Sequence, residues 1–245
     1  MNTGDPIAIL GMHRSGTSCL AGTLESHGLA LGDVANRSAH NQKGNKENKA
    51  FRQLNDAILA HSGGSWDKPP TIVQWTKGHC DARDHLLGEY SSKQPWGFKD
   101  PRTILTFEFW REAVPYMPVI ATFRNPLSVS LSLKARPGLM PAMEPQALWA
   151  HYNQKLLDIL TKTTAPIVCF DWDRDRYVRC TSLIARRMGL AVQPSTQFRE
   201  DALNHQAQQN PGDAITSPQV KEIYDALMAK AIDTERAIKE HTEPT

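Results

Sequence analysis

The octapeptide G-M-H-R-S-G-T-S at positions 11–18 constrains the fold of this chain more than any other stretch. The apolar run 7–10 before it predicts a buried strand, and the apolar spacing after it, closed by His27-Gly28, predicts a helix. The first N–H groups of such a helix are unpaired and its dipole favours negative charge, so the turn is suited to an anion. Arg14 adds a planar fork of donors that matches the oxygens of a phosphate or sulfate.

The spacing of Gly11 and Gly16 also fits the G-x-x-x-x-G pattern of nucleotide triphosphatases. Thr17 stands where those proteins carry a lysine, and the cation has moved into the loop at Arg14. At this point an ordinary strand-to-helix turn without a ligand and a phosphate-binding loop both remain open.

Composition narrows the class of protein. A chain of 245 residues with 40% apolar residues predicts one large domain over 1–245, with a polar segment at 193–218 and a C-terminal helix at 219–241. The net charge of +2 argues against a general nucleic-acid or membrane-surface binder. A homo-oligomer is also possible. The four cysteines show neither a C-x-x-C pair nor zinc-like spacing, which predicts a reducing, cytoplasmic location and no metal centre. We find no targeting or membrane-spanning segment.

Short apolar strands alternate with helical patterns along the chain. This order predicts an α/β fold with a parallel central sheet covered by helices on both faces. The predicted strands are 7–10, 118–123 and 166–171, together with a short strand that begins at 96. The predicted helices after the first are 47–61, 82–90, 103–113, 127–135, 146–160, 176–188 and 219–241.

A second anion site is predicted where the strand 118–123 ends. Arg124 follows that strand directly, and Ser132 lies in the second turn of the next helix, so that both side chains can converge on one anion. Together with the first loop, this pair predicts a ligand with two separated phosphate-like groups.

The R-S-G-T-S loop at 14–18, followed by Arg124 and Ser132, resembles the sulfotransferases that use 3′-phosphoadenosine 5′-phosphosulfate. It is closer to the carbohydrate and Golgi-type branch than to the hormone-sulfating branch, whose loop has lysine and a tryptophan after the threonine. The resemblance implies a P-loop NTPase-like sulfotransferase fold, with the loop on the 5′-phosphosulfate and the strand arginine and helix serine on the 3′-phosphate. The donor-binding residues that it implies are Arg14, Ser15, Gly16, Thr17, Ser18, Arg124 and Ser132.

Three weaker segments are similar to bacterial relatives: N-Q-K-G-N-K-E-N at 41–48, K-D-P-R at 99–102, and the acidic exit 171–173 of the last strand. Relatives often carry proline and an aromatic residue where this chain has Gln42 and Asn45. That departure concerns the acceptor pocket rather than the donor site.

Sulfuryl transfer is an in-line displacement, so most of the catalysis should be positioning and charge stabilisation, to which Arg14 is suited without a metal ion. A general base would remove the acceptor's proton. Glu47 is the first choice, because related enzymes place a glutamate at a comparable point, although Lys46 beside it would weaken it as a base. His13 is the alternative base, and Lys99 could reach the sulfuryl group or the acceptor.

The predicted function is transfer of a sulfuryl group to a hydroxyl or amine of a carbohydrate or small-metabolite acceptor, leaving 3′,5′-bisphosphoadenosine as product. A P-loop kinase or nucleotide triphosphatase is one alternative, but it leaves Arg124 and Ser132 without a role. A sulfotransferase-like module that binds the nucleotide without transfer is the other.

Overall fold

The computed structural model describes residues 4–34, 44–93, 95–135, 140–192 and 217–240. One or more helices separate each strand from the next along these ranges. In chain order they are β1 Ile7–Leu10, α1 Thr17–Ser26, α2 Lys49–His61, α3 Lys77–Tyr90, β2 Gly97–Lys99, a 3₁₀ turn Pro101–Ile104, α4 Phe107–Ala113, β3 Val119–Phe123, α5 Pro126–Lys134, α6 Pro145–Lys162, β4 Ile167–Cys169, α7 Arg174–Arg187 and α8 Pro218–Glu240.

The four strands form one parallel sheet in the order β2-β1-β3-β4. In register, Ile9 of β1 lies beside Lys99 of β2 on one side and Ile120 of β3 on the other. Every residue of these strands is buried, as expected for a parallel sheet that helices flank. The predicted α/β fold with a parallel sheet is confirmed.

The strand order produces a crevice between β1 and β3. The connection from β1 runs to β2 on one side, whereas the connection from β3 runs to β4 on the other. Because such crossovers are right-handed, α1 and α5 leave the sheet toward opposite faces. Accordingly, α1 packs with α7, whereas α5 packs with α6, which in turn contacts α8. The carboxyl ends of β1 and β3 therefore flank the point where α/β proteins bind ligands.

The edge strand β2 is covered by an aromatic cluster. The Phe51 ring of α2 stacks on Phe98 at 4.6 Å and on Trp110 of α4 at 5.2 Å between ring centroids. These contacts fix α2 beside the carboxyl end of β2, since aromatic pairs add to the stabilisation from burial alone.

The predicted helix 103–113 was wrong in its first half. Residues 101–104 form a 3₁₀ turn, and α4 begins only at Phe107. The Asp100 carboxylate accepts the backbone N–H of Arg102 at 3.3 Å and so caps the tight turn. The hydroxyl of Thr106 donates to Asn55 at 2.7 Å, which holds the break between the two segments against α2.

Two helix starts also differ from the prediction because of capping side chains. Asn48 accepts the backbone N–H of Ala50, so α2 begins at 49 rather than 47. Thr76 and His79 form a capping box, so α3 begins at 77 rather than near 82. The predicted polar segment 193–218 lies outside the described residues except for its last two positions.

Candidate functional site

The loop between β1 and α1 is a tight turn that requires its glycines. Gly16 has φ +83°, and a Cβ there would lie 2.2 Å from the Phe170 ring. A Cβ at Gly11 would lie 2.6 Å from the carbonyl oxygen of Thr122 on β3. Arg14 also has a positive φ, 67°, which is a strained conformation for a residue with a side chain. The turn is therefore held closely against the ends of β3 and β4.

The N-terminus of α1 has the features of an anion site. Gly16 is its capping residue, so no side chain caps the first N–H groups of the helix. The hydroxyl of Ser15 is fully buried and has no hydrogen-bond partner among the described residues. Buried polar groups are normally satisfied, so this hydroxyl and the uncapped turn suit a ligand oxygen.

The structure brings the two predicted anion sites into one cleft. Nε of Arg14 donates to the Ser132 hydroxyl at 2.7 Å. Nη1 of Arg124 lies 3.5 Å from the carbonyl oxygen of Arg14. The adjacency of β1 and β3 causes this convergence, because the loop that follows β1 meets the residue that ends β3.

Arg124 is enclosed by the ends of β3 and β4. Its Nε lies 3.3 Å from Oδ1 of Asp171, and Oδ2 of the same carboxylate accepts the backbone N–H of Asn125 at 2.6 Å. The Phe170 ring lies 5.2 Å from the guanidinium carbon. Asn125 also caps α5, the helix that carries Ser132.

Lys99 and Glu47 form an ion pair beside the start of α1. Nζ of Lys99 is 2.7 Å from Oε1 of Glu47 and 3.5 Å from the hydroxyl of Ser18. The lysine is 1% exposed and the glutamate side chain 18%. Burial lowers the pKa of Lys99, and the nearby carboxylate of Glu47 opposes that shift.

Lys46, which adjoins Glu47 in the sequence, forms an ion pair with a carboxylate on α1. Lys46 has φ +53°, and its Nζ lies 2.7 Å from the carboxylate of Glu25 on α1. The neighbouring Asn45 accepts the Ser18 hydroxyl through its backbone oxygen at 2.9 Å. These contacts fasten the segment before α2 to α1.

Arg102 is held by carboxylates on both sides. Its guanidinium contacts Asp100 at 2.9 Å and Asp56 at 2.6 Å. Asp100 is itself fully buried and accepts the side-chain amide of Asn55 at 2.8 Å. Asp100 therefore holds Arg102 in place.

His13, the alternative base, lies in an aromatic environment. Its ring is 4.6 Å from Trp66 and 6.0 Å from Tyr152 between centroids. The Tyr152 hydroxyl donates to the backbone oxygen of Trp66 at 2.8 Å, and burial raises the pKa of that tyrosine well above its usual value. Of the two candidate bases, Glu47 is the one that contacts Lys99.

Sequence reasoning missed three contributors to this site. Asp171 was noted only as part of an acidic segment, although its position at the end of the predicted strand 166–171 was a usable signal. Trp66 and Tyr152 carried no signal, because they meet His13 only through tertiary packing. Gln42, at which the chain departs from the sulfotransferase pattern, lies outside the described residues.

Within the described ranges, no three His, Cys, Asp or Glu side chains are grouped so that they could hold a metal ion. No helix in the same ranges has both the length and the apolar character needed to cross a bilayer.

The fold is that of an α/β protein, and Arg14, Ser132 and Arg124 line a cleft at the switch point of its sheet. No protein-family model matches the chain, and no curated protein is similar to it in sequence. The crystal structure of sulfotransferase STF1 from Mycobacterium tuberculosis H37Rv is similar over 96% of this chain and 75% of that chain, with 14% sequence identity and a TM-score of 0.40. A TM-score this low assigns neither a family nor an activity to the chain.

Proposed function

We propose that this protein is a sulfotransferase that uses 3′-phosphoadenosine 5′-phosphosulfate and transfers its sulfuryl group to a hydroxyl or amine of a carbohydrate or small metabolite. The observation that carries the proposal is the 2.7 Å contact between Arg14 and Ser132, with Arg124 adjoining them. Two anion-binding groups from separate elements thus share one cleft, as a nucleotide with phosphates at both its 3′ and 5′ positions requires.

The residues present fit such a donor. The uncapped start of α1 and the unsatisfied hydroxyl of Ser15 suit the 5′-phosphosulfate, and Arg124 with Ser132 suits the 3′-phosphate. When bound, the donor supplies a sulfuryl group whose bond to the 5′-phosphate breaks as a bond to the acceptor oxygen or nitrogen forms. The 5′-phosphate leaves with the bond's electron pair, and Arg14 neutralises the charge that develops there.

Glu47 is placed to accept the acceptor's proton. Lys99 occupies Oε1, whereas Oε2 has no hydrogen-bond partner among the described residues. A carboxylate held through one oxygen is fixed in orientation and keeps the other for a proton. The Lys99 ammonium stabilises charge on the transferred group and moves no proton in this scheme.

The position of Lys99 favours this function over a P-loop kinase or nucleotide triphosphatase. In those proteins the hydroxyl at the position equivalent to Ser18 holds Mg²⁺. Here the side chain of Lys99 comes within 3.5 Å of that hydroxyl, and the hydroxyl itself donates to Asn45. A protein cation thus stands where a triphosphatase places its metal ion.

Turnover tests the proposal. The purified protein is incubated with the donor and a panel of sugar, amine and phenol acceptors, and release of 3′,5′-bisphosphoadenosine is followed by chromatography. We expect acceptor-dependent release that Glu47→Gln lowers by about 10²–10⁴-fold, the range for loss of a general base. Tight binding of 3′,5′-bisphosphoadenosine without turnover on any acceptor would instead identify a non-catalytic module.

A further inference from the structure

We propose that Asp171 is a positioning residue that selects nucleotides carrying a 3′-phosphate by fixing the guanidinium of Arg124. This inference rests on the proposed function, because it assumes that Arg124 receives the 3′-phosphate. Asp171, the acidic residue after the last strand, takes no part in the proposed transfer reaction itself.

The geometry of the carboxylate supports a fixed arrangement. Oδ1 of Asp171 faces Nε of Arg124 at 3.3 Å, and Oδ2 accepts the backbone N–H of Asn125 at 2.6 Å. Both partners adjoin the end of β3, whereas Asp171 follows β4, and the parallel register of the two strands brings them together. A carboxylate held at both oxygens cannot easily turn away from the arginine.

Three N–H donors of Arg124 remain for a ligand. Nη1 donates one N–H to the carbonyl oxygen of Arg14 at 3.5 Å and keeps its second, and Nη2 has no hydrogen-bond partner among the described residues. Because Asp171 occupies the Nε edge, the two terminal nitrogens remain together as a fork, the arrangement that binds a phosphate through two hydrogen bonds. The ring of Phe170 beside the guanidinium limits its movement out of plane.

Asp171 could instead be a competing anion that a phosphate displaces. Its second contact argues against displacement, because leaving would also break the 2.6 Å bond to the backbone of Asn125. The two roles predict opposite effects of removing the carboxylate. Positioning predicts weaker binding of a 3′-phosphate, and competition predicts tighter binding.

The experiment compares 3′,5′-bisphosphoadenosine with adenosine 5′-monophosphate by calorimetric titration. The proteins are the wild type, Asp171→Ala, Asp171→Asn, Arg124→Ala and the double variant Asp171→Ala/Arg124→Ala. Asp175→Asn is the matched control, since it removes an equal charge from an exposed position on α7. Thermal melting of each protein confirms that it is folded.

We expect Asp171→Ala to reduce the preference for the bisphosphate by about tenfold, as for loss of one charged hydrogen-bonding interaction, with affinity for the monophosphate unchanged. Asp171→Asn should fall between this variant and the wild type, because its amide accepts at only one atom. In the Arg124→Ala background the second substitution should have no further effect.

Tighter bisphosphate binding by Asp171→Ala, or equal weakening of both ligands, would overturn the role of Asp171. A preference that survives in Asp171→Ala but is lost in Arg124→Ala would also overturn it while supporting the proposed function. A wild type without any preference for the bisphosphate would mean that the proposed function itself has failed.

Discussion

The ion pair between Lys99 and Glu47 predicts an asymmetric response of stability to mutation. Lys99 is 1% exposed, whereas the Glu47 side chain is 18% exposed. Removing the glutamate leaves an ammonium in the interior, but removing the lysine leaves a carboxylate at a rim that water can reach. We therefore expect Glu47→Ala to destabilise the fold more than Lys99→Met, although both break the same pair.

The magnitudes follow from what each variant leaves behind. Loss of one partner from a buried pair costs about 3–5 kcal/mol. In Glu47→Ala the ammonium keeps the Ser18 hydroxyl at 3.5 Å and the attraction of Asp100, which places the loss near the lower end, about 3 kcal/mol. Lys99→Met replaces the side chain by an apolar one of similar volume and removes the cost of burying the charge, so we expect a change within about 1 kcal/mol.

Urea unfolding followed by tryptophan fluorescence and circular dichroism measures both variants, with the m-values compared to confirm equal exposure of surface. Lys77→Met is the matched control, since it breaks an ion pair with Asp81 that is exposed on both sides and should leave the midpoint unchanged. Equal losses in the two test variants, or a larger loss in Lys99→Met, would refute the reasoning.

Three further predictions concern stability. Gly16→Ala should lower the free energy of unfolding, measured by urea titration, by about 2 kcal/mol or more, because the new Cβ would meet an aromatic ring. Gly28 also has a positive φ, +93°, but has open space around it, so Gly28→Ala should lower the free energy of unfolding by only about 1 kcal/mol. Asn55→Leu should cost about 3–5 kcal/mol, because it strands several buried polar partners, whereas at Asn153, whose buried Oδ1 has no partner among the described residues, the same change should cost distinctly less. Burial lowers the pKa of Lys99 below its usual 10.5, so the unfolded chain binds the extra proton once the pH exceeds the folded-state pKa. The stability of the wild type relative to Lys99→Met should therefore rise with pH as the pH approaches 10.5, and a flat difference in urea titrations across that range would contradict this.

Local signals in the sequence were sufficient for the elements that carry Arg14, Arg124 and Ser132. The run 7–10 predicted β1 with its observed bounds, and Pro126 marked the first turn of α5. Both depend on neighbouring residues alone, through apolar clustering and the fixed φ of proline. The same kind of signal placed Arg124 at the end of β3 and Ser132 in the second turn of the following helix.

The partners of the candidate base could not be predicted in this way. Lys46 is adjacent to Glu47 in sequence, but its backbone is left-handed and its Nζ contacts Glu25 on α1. Lys99 lies 52 residues from Glu47 in the sequence and meets it through tertiary packing, in which β2 pairs with β1. The helical spacing over 103–113 likewise gave no warning of the break at Thr106, where bonding to a distant asparagine outweighs propensity.

The proposed donor site is tested most directly by calorimetric titration with 3′,5′-bisphosphoadenosine and, for comparison, with ATP and magnesium. The proteins are the wild type, Arg124→Ala and, as a control, Arg186→Ala at an exposed position on α7. We expect the bisphosphate to bind more tightly than ATP and without metal. Arg124→Ala should weaken that binding by about 1.5–3 kcal/mol, whereas Arg186→Ala should not change it. Tighter, magnesium-dependent binding of ATP that is insensitive to Arg124 would contradict the account and identify a triphosphate-binding protein instead.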